Sequence, residues 1–264
     1  MTKFTCRHCA SPLENKIISL GHQPPSNNFL SKHQTFSQEV YYPLDLYFCA
    51  DCGLVQLPSY SPSSDLFTNQ YPYLSSTSDL WCKHARTYVD YAVDRFELNS
   101  TSLVVEIASN DGYLLQYFQE KSIKCLGIEP TLSTAKIAQQ KGIRTLNTFF
   151  TQQSARSILD NYAESTRGFD LVIANNVLAH VPDINDFISG ITLILNPTSG
   201  ICSIEFPHLL NLINECQFDT IYHEHYSYLS LTFVRNLCEK HKLMVFDVQE
   251  LSTHGGSLRV WISG

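Results

Sequence analysis

The chain has 264 residues, of which 44% are apolar and 16% are charged, and its formal net charge is −7 at pH 7. This composition is typical of a globular protein with one good-sized domain and a small one, and the negative charge argues against a nucleic-acid partner, which would need a basic face. No apolar run approaches the ~20 residues that span a bilayer and the N-terminal MTKFTCRHCA lacks the apolar segment of a signal peptide, so we expect a cytoplasmic protein without a membrane partner.

Two Cys-x-x-Cys pairs are the first recognisable elements, Cys6 with Cys9 and Cys49 with Cys52. Nine Cys is an odd number, and in a reducing compartment it favours thiols or thiolate ligands over disulfides. Each pair places two sulfurs on one turn, so the four together can close a tetrahedral zinc site. Gly53, after the last Cys, leaves room for backbone N–H groups near sulfur. Such a zinc ion would be structural, and the alternative is two redox-active or merely buried pairs.

Composition divides the chain into three predicted parts. Residues 1–60 should form a zinc-binding domain, because the loop and strand between the Cys pairs are too small to make a core without the metal. The Pro- and Ser-rich LPSYSPSSDLF marks the boundary to a linker and helical segment at 61–100. Within it, Ser and Thr before Asp79 predict a helix N-cap. Residues 101–264 should form the larger domain.

From residue 101 onward, strand and helix patterns alternate. The strand candidates are SLVVEIA, CLGIEP, RTLNTFF, GFDLVIANN, GICSIEF, LMVFDVQEL and SLRVWIS. Apolar strands covered on both faces by crossover helices form a parallel sheet, and the last two, without a helix between them, should pair antiparallel. The sequence therefore predicts an α/β, Rossmann-like sheet of seven strands with an antiparallel last strand.

Polar residues at the carboxyl ends of these strands are the predicted ligand site, because open α/β sheets bind ligands there. The first strand ends in a turn that lacks the first glycines of a pyrophosphate loop. The second ends in Glu129, which can accept hydrogen bonds from both hydroxyls of a ribose. These features indicate a nucleoside without a phosphate, such as S-adenosylmethionine, although a doubly wound domain with chance polar ends is the alternative. The predicted cofactor-binding residues are Glu106, Ser109, Asn110, Asp111, Gly112, Glu129, Asn175 and Asn176.

The stretch FDTIYHEHYSYLS, residues 218–230, crowds His, Glu and Tyr together. A His among phenols and a carboxylate suits proton transfer. A metal site on His223, Glu224 and His225 is a weaker interpretation, since no other local cluster offers the remaining ligands. In a strand these two His would share a face and Glu224 would point away, whereas a loop removes that constraint. The stretch could also be an aromatic-rich packed loop.

Several segments resemble one known family. They are the two Cys pairs, YPYLSSTS, VEIASNDGYLL, GIEPT, ANNVLAHV, IEFPHL, FDTIYHEHYSYLS and HGGSLRV, in order over nearly the whole chain. Together they look like the zinc-containing sugar C-methyltransferases, which methylate carbon 3 of nucleotide-linked 4-keto-deoxysugars. The resemblance implies a class I methyltransferase core, S-adenosylmethionine as methyl donor and a His of the HEHY motif as general base. Members usually carry a further C-terminal domain after HGGSLRV, so we expect a fragment or a short member.

A proton on carbon next to a ketone leaves only with a base and with stabilisation of the enolate oxygen. We predict His225 as the catalytic base, with His223 as second choice. Tyr222 and Glu224 are predicted to orient the base or bind the sugar.

Further predictions concern the rest of the substrate site. The predicted substrate-binding residues are Tyr71, Tyr73, His254 and Gly255, although the two Tyr could instead pack on the larger domain. His180 and His208, near strand ends, are expected to be structural. Two other functions fit the same residues: an O- or N-methyltransferase, and a binding protein without turnover.

Overall fold

The computed structural model describes residues 4–27, 29–30, 32–33, 38–60, 74–162 and 167–264. These residues form two sheets, one of four strands and one of seven. None of the helices in these ranges is both long and apolar enough to cross a membrane.

The four-stranded sheet contains the N-terminal strands and one strand from far along the chain. Its members, in spatial order, are β1 (Asn15–Gln23), β2 (Tyr42–Phe48), β3 (Val55–Gln56) and β9 (Ser227–Tyr228). All neighbours pair antiparallel. The small apolar cluster beneath this sheet joins Leu44, Leu46 and Val55 to Leu209 and Tyr228. The N-terminal sheet is therefore completed and packed by residues of the larger domain.

The seven-stranded sheet follows the predicted alternation. Its strands are β4 (Leu103–Ile107), β5 (Lys124–Ile128), β6 (Thr145–Leu146), β7 (Leu171–Asn175), β8 (Ile201–Pro207), β10 (Met244–Leu251) and β11 (Ser257–Ser263). The order across the sheet is β10-β11-β8-β7-β4-β5-β6. The pairs within β6-β5-β4-β7-β8 are parallel, and β11 is antiparallel to both β8 and β10. This is the class I methyltransferase fold, and the prediction of seven strands with an antiparallel last strand is confirmed.

Helices connect these strands. They are α1 (Asp79–Arg95), α2 (Leu115–Glu120), α3 (Leu132–Gln140), α4 (Gln152–Asn161), α5 (Ile184–Ile194), α6 (Leu209–Asn214) and α7 (Leu231–Lys240). Helix α1 begins after Ser78, whose side chain accepts a hydrogen bond from the backbone N–H of Trp81, which is an N-cap. Its buried stripe, which includes Tyr88, Val89 and Ala92, packs in one cluster with core residues of the large sheet.

Burial explains why the central strands read as continuous apolar runs. Every residue of β4 and of β7 is buried, because helices cover both faces of the sheet. Two polar side chains interrupt these runs, Glu106 in β4 and Asn175 at the end of β7. A buried polar group is costly unless it has a partner, so these positions direct attention to the carboxyl ends of the strands.

Candidate active site

The four Cys of the N-terminal pairs converge on one point. Their Sγ atoms all lie within 4.8 Å of one another. The Sγ atoms of Cys6 and Cys52 are 3.5 Å apart. Those of Cys9 and Cys49 are also 3.5 Å apart. Zinc–sulfur bonds of about 2.3 Å place the sulfurs of a tetrahedral site about 3.8 Å from one another, so the cluster has the size and the donor set that zinc requires.

The hydrogen bond between Cys6 and Cys52 shifts the pKa values of these two thiols in opposite directions. It is the largest cause that lowers the pKa of Cys6 to about 4, and the largest cause that raises the pKa of Cys52 above its ordinary value. Gly53 adopts the left-handed backbone conformation, with φ of 77°. Its N–H donates to the carbonyl of Cys49, which closes the second turn. With four protein thiolates no coordination position stays open for a substrate, so this is a structural zinc site, as predicted.

A cavity of about 780 Å³ lies where the parallel strands end. Residues at or just after the carboxyl ends of β4, β5, β7 and β8 line it, and they include Ala108, Glu129, Asn176 and Pro207. The loop that follows α6 and carries the HEHY motif forms another wall. Residues far apart in the sequence therefore share one chamber at the edge where open α/β sheets bind ligands.

Glu129 and the turn after β4 form one end of the cavity. The backbone N–H of Asn110 donates to Oε2 of Glu129 at 2.9 Å. The N–H of Thr131 donates to Oε1 at 2.8 Å. Burial raises the pKa of Glu129. The two N–H groups use two of the about four acceptor sites of a carboxylate, and the others can accept from nearby hydroxyls, those of Thr131 and Thr134 or those of a ligand.

Four other residues predicted to bind the cofactor do not line this cavity: Glu106, Ser109, Asp111 and Gly112. Asp111 lies 3.2 Å from Nζ of Lys141, in an ion pair on the far side of the turn. Gly112 packs against α3 and its following loop, and a Cβ there would lie 2.3 Å from the side chain of Ile143. These two residues support the turn from behind.

Glu106 is the buried acid of β4, with 1% of its surface exposed. Burial raises its pKa well above the ordinary value. Its Oε2 atom has no hydrogen-bond partner among the described residues. A neutral carboxyl group satisfies this environment better than a carboxylate does.

Asn175 and Asn176 line the cavity at the end of β7. Oδ1 of Asn175 and both amide atoms of Asn176 are buried and have no partner among the described residues. Asn176 has φ of 52°, a left-handed conformation that Asn tolerates better than most residues. Because an unpaired buried polar group costs about 1–3 kcal/mol, these atoms favour a polar partner in the cavity.

The HEHY motif forms a turn followed by β9. The backbone N–H of His225 donates to the carbonyl of Tyr222 at 2.9 Å, which closes the turn. The alternation of side chains in a strand therefore does not apply here, and the two His of the motif point into different surroundings.

His225 lies in the cavity wall with a defined tautomer. Its Nδ1 is 2.8 Å from the carbonyl oxygen of Thr220, which can only accept, so Nδ1 carries the hydrogen. Nε2 then accepts from the hydroxyl of Tyr222, also at 2.8 Å. Burial lowers the pKa of His225 to about 4, so its ring is neutral at pH 7 and able to take a proton.

His223 and Glu224 face away from the cavity. His223 is 5% exposed, and its Nε2 donates to the carbonyl of Pro43 in β2 at 3.2 Å. The Glu224 carboxylate accepts hydrogen bonds from Asn27 at 2.9 Å and from Ser26 at 3.2 Å. These two residues tie the motif to the N-terminal domain.

The HGG turn forms another part of the cavity wall. His254 and Gly255 both have positive φ, 50° and 72°, and both line the cavity. The ring of His254 meets that of Trp81 edge-on at 4.9 Å. The side chain of Gln217 donates to the carbonyl of Gly255 at 2.7 Å and holds the turn. Tyr71 and Tyr73 lie outside the described residues.

Trp81, His180 and Tyr228 are among the cavity-lining residues that were not predicted as site residues. The ring of His180 lies 4.7 Å from that of His225. Burial lowers the pKa of His180 to about 3, so it is neutral beside the predicted base. The position of His180 just after β7 could have indicated that it lines the site. Trp81 and Tyr228 could not be distinguished in the sequence from ordinary helix and packing residues.

Comparison with known proteins agrees with this architecture. A family described as "Putative zinc binding domain" matches residues 6–67, and one described as "Methyltransferase domain" matches residues 81–246. The chain is similar to the C-methyltransferase NovU of Streptomyces niveus, with 33% identity over 256 residues. That match covers 97% of this chain but only 60% of the relative.

Solved structures resemble the fold. An N1-methyltransferase of 1,6-didemethyltoxoflavin from Burkholderia thailandensis superimposes with a TM-score of 0.55 and 17% identity, covering 81% of this chain and 96% of that one. An S-adenosylmethionine-dependent methyltransferase from Clostridium acetobutylicum gives a TM-score of 0.54 and 11% identity, covering 69% of this chain and 91% of that one. Identities this low support the fold alone.

Proposed function

The chain belongs to the methyltransferase-domain family, and on that premise we propose that it transfers a methyl group from S-adenosylmethionine to carbon 3 of a nucleotide-linked 4-keto-deoxysugar. The observation that carries the proposal is the neutral, buried His225 in the same cavity as the carboxyl ends of β4, β5 and β7. Methyl transfer to carbon needs a base beside the methyl donor. This cavity contains His225 as the base and the strand ends at which the donor would bind.

The residues at the strand ends suit the methyl donor. S-adenosylmethionine supplies an electrophilic methyl group when bound. Glu129 would accept hydrogen bonds from its ribose hydroxyls. The unpaired amides of Asn175 and Asn176 would bind further polar groups at the end of β7. Glu106, Ser109, Asp111 and Gly112 would act indirectly, by shaping the turn that carries Asn110.

His225 would take the proton from the substrate carbon. The carbon–hydrogen bond breaks, the proton moves to Nε2, and the electron pair moves through the ketone to leave an enolate oxygen. The hydrogen bond from Nδ1 to Thr220 fixes the tautomer in which Nε2 has its lone pair available. Burial weakens His225 as a base but keeps it unprotonated at neutral pH.

Tyr222 would stabilise the enolate. Its hydroxyl donates to Nε2 of His225. Once the substrate occupies the cavity, the hydroxyl would turn to the developing enolate oxygen and free Nε2 to accept the proton. The enolate carbon would then be nucleophilic enough for the methyl group that bound S-adenosylmethionine would supply. Glu224 would contribute by holding the loop, through Asn27 and Ser26, and not by touching the reacting atoms.

One observation supports the sugar as substrate, and a second supports carbon as the atom that is methylated. The HEHY and HGGSLRV segments of the resemblance both line the cavity, through His225 and His254. The similar protein from Streptomyces niveus is a C-methyltransferase by name. Because the chain spans 60% of that relative, the sugar, its nucleotide and the cytoplasmic location stay proposals.

The test is a panel of nucleotide-linked 4-keto-deoxysugars incubated with the enzyme in heavy water. Deuterium should enter at carbon 3 without a methyl donor, and a methyl group should appear there with S-adenosylmethionine. Methylation of a hydroxyl or an amine without carbon exchange would establish an O- or N-methyltransferase instead. Binding of S-adenosylmethionine in a calorimetric titration without any turnover would support a binding protein.

A further inference from the structure

We propose that Arg7, which lies inside the first Cys pair, is a positioning residue that holds the segment 222–226, here called the His225 loop, in its place. The inference rests on the proposed function, because it gives the zinc-binding domain a part in deprotonation. The zinc ion would then do more than stabilise a small domain, since its site would set where the base lies.

The guanidinium of Arg7 joins three chain segments. Its Nη1 donates to the carbonyl of Pro182 at 2.9 Å. Its Nη2 donates to the carbonyl of Leu57. Its Cζ lies 5.0 Å from the centre of the Tyr226 ring, in cation–π geometry.

The residues that Arg7 contacts are close to the predicted base, either along the chain or through one further contact. Tyr226 directly follows His225, and its carbonyl accepts the N–H of Leu57 at 3.0 Å. Pro182 lies two residues after His180, whose ring is 4.7 Å from that of His225. Arg7 therefore connects both chain segments that flank the His225 ring, the loop itself and the segment after β7.

The zinc site fixes Arg7 in turn. The backbone N–H of Arg7 donates to Oε1 of Gln56 at 3.0 Å. Nε2 of the same Gln56 donates to Sγ of Cys6 at 3.1 Å. The backbone of Gln56 pairs with Ser227 in the β3–β9 ladder. Gln56 thus binds a zinc ligand and the Arg7 backbone through its side chain, and it binds the strand that continues the His225 loop through its backbone.

Charge supports the same arrangement. No carboxylate of the described residues forms an ion pair with Arg7. Zinc with four thiolates has a net charge of about −2, so the loaded site would provide the negative charge that this buried cation needs. A planar guanidinium can donate to two carbonyls at fixed angles, which the single ammonium of Lys cannot reproduce.

The experiment compares Arg7→Gln and Arg7→Lys with the wild-type holoenzyme. We expect Arg7→Gln to keep one zinc per chain and its S-adenosylmethionine affinity while backbone amide exchange in 222–228 accelerates. Its rate of deuterium entry into the ketosugar should fall on the order of 10²-fold, the scale for a misplaced catalytic group. Arg7→Lys should recover part of that rate. Lys16→Ala is the matched control, since Lys16 pairs with Asp45 on the outside of the same sheet.

A nitrogen NMR titration of His225 reads the position of the loop without any substrate. In the wild type the pKa of His225 should lie near 4, and in Arg7→Gln it should move towards the ordinary value of about 6.5 as the loop opens to water. If Arg7→Gln loses zinc, the same titration of His225 in zinc-loaded Arg7→Lys tests the proposal. If zinc-loaded variants show unchanged backbone amide exchange in 222–228 and an unchanged pKa of His225, the proposal is overturned. If the wild type labels no ketosugar, the proposed function fails, and these two measurements still decide the role of Arg7.

Discussion

The hydroxyl of Tyr222 lies 2.8 Å from Nε2 of His225, the one ring nitrogen that can accept a proton. Thr220 holds the other ring nitrogen as a donor. The hydroxyl therefore occupies the lone pair that would take the proton, and deprotonation requires this contact to give way to one with the substrate. Substitutions of His225 and of Tyr222 test the two side chains separately.

Replacing His225 should abolish deprotonation and spare cofactor binding. We expect His225→Ala to lower deuterium entry at carbon 3 by ~10² to 10⁴, the usual cost of losing a general base. Affinity for S-adenosylmethionine should stay near wild type, because His225 acts on the sugar. Mass spectrometry of the ketosugar in heavy water and a calorimetric titration measure the two effects.

His223→Ala is the matched control for that variant. His223 contacts Pro43 and does not line the cavity, so its loss should leave the exchange rate within a few-fold of wild type. If His223→Ala loses exchange and His225→Ala keeps it, the base is His223. If both variants exchange normally, the HEHY motif binds or packs and does not deprotonate.

Tyr222→Phe should separate the phenol from the imidazole. The variant keeps the ring but removes the hydroxyl that we assign to the enolate oxygen, and losing one such donor typically costs ~10² to 10³ in rate. The Michaelis constant should change less than the turnover number, since the contact forms mainly as charge develops. A turnover number equal to that of the wild type would show that Tyr222 does not stabilise the enolate.

Glu129→Ala should weaken binding of S-adenosylmethionine by about 1.5–3 kcal/mol, the scale for hydrogen bonds to a charged group. Part of this loss will come from the N–H groups of Asn110 and Thr131, which the carboxylate also holds. Glu129→Gln is the milder comparison, because its remaining oxygen can still accept from one of them. Calorimetric affinities for both variants equal to that of the wild type would contradict the ribose assignment.

The purified protein should contain one zinc ion per chain, held by Cys6, Cys9, Cys49 and Cys52. Cys49→Ser should lose the metal and destabilise the fold on the order of 4 kcal/mol, because loss of a metal site is among the large single-residue effects. Cys216→Ser is the control, since Cys216 is exposed and outside the cluster. Metal analysis and thermal melting check both. Equal melting of the two variants would contradict a structural role.

Stability should fall as the pH drops below 6.5. Burial lowers the pKa of His180 to about 3 and that of His225 to about 4. The unfolded chain takes up these protons near pH 6.5 while the folded chain does not, so each group costs up to about 1.4 kcal/mol per pH unit until its folded pKa is reached. Urea unfolding between pH 6.5 and 4.5 should show a shallower loss for His180→Asn than for the wild type. An equal slope would mean that His180 is not buried as a neutral ring.

The sequence was sufficient where the physical constraint is local. Two Cys three positions apart lie on one turn whatever surrounds them, so the zinc site could be predicted from spacing and donor type. Fully buried strands must be apolar throughout, which made β4 and β7 visible, and the missing helix before β11 predicted its direction.

Positions at strand ends were predicted less completely. Asn110, Glu129, Asn175 and Asn176 line the cavity, as the rule for open sheets predicts. Ser109 and Asp111, which flank Asn110 in the turn after β4, do not line it. Alternating left-handed residues turn successive side chains in opposite directions, with φ of 58° at Ala108 and 48° at Asn110. No pattern of residue types contains that backbone geometry.

Only the tertiary structure could distinguish His225 from His223. The choice depends on β9 pairing with β3, whose residues lie far apart in the sequence, and on the turn that precedes it. That pairing directs His223 towards β2 and leaves His225 in the cavity. Composition and spacing report what neighbours along the chain require, whereas the surroundings of these two His are set by contacts between the two sheets, which form only when the whole chain has folded.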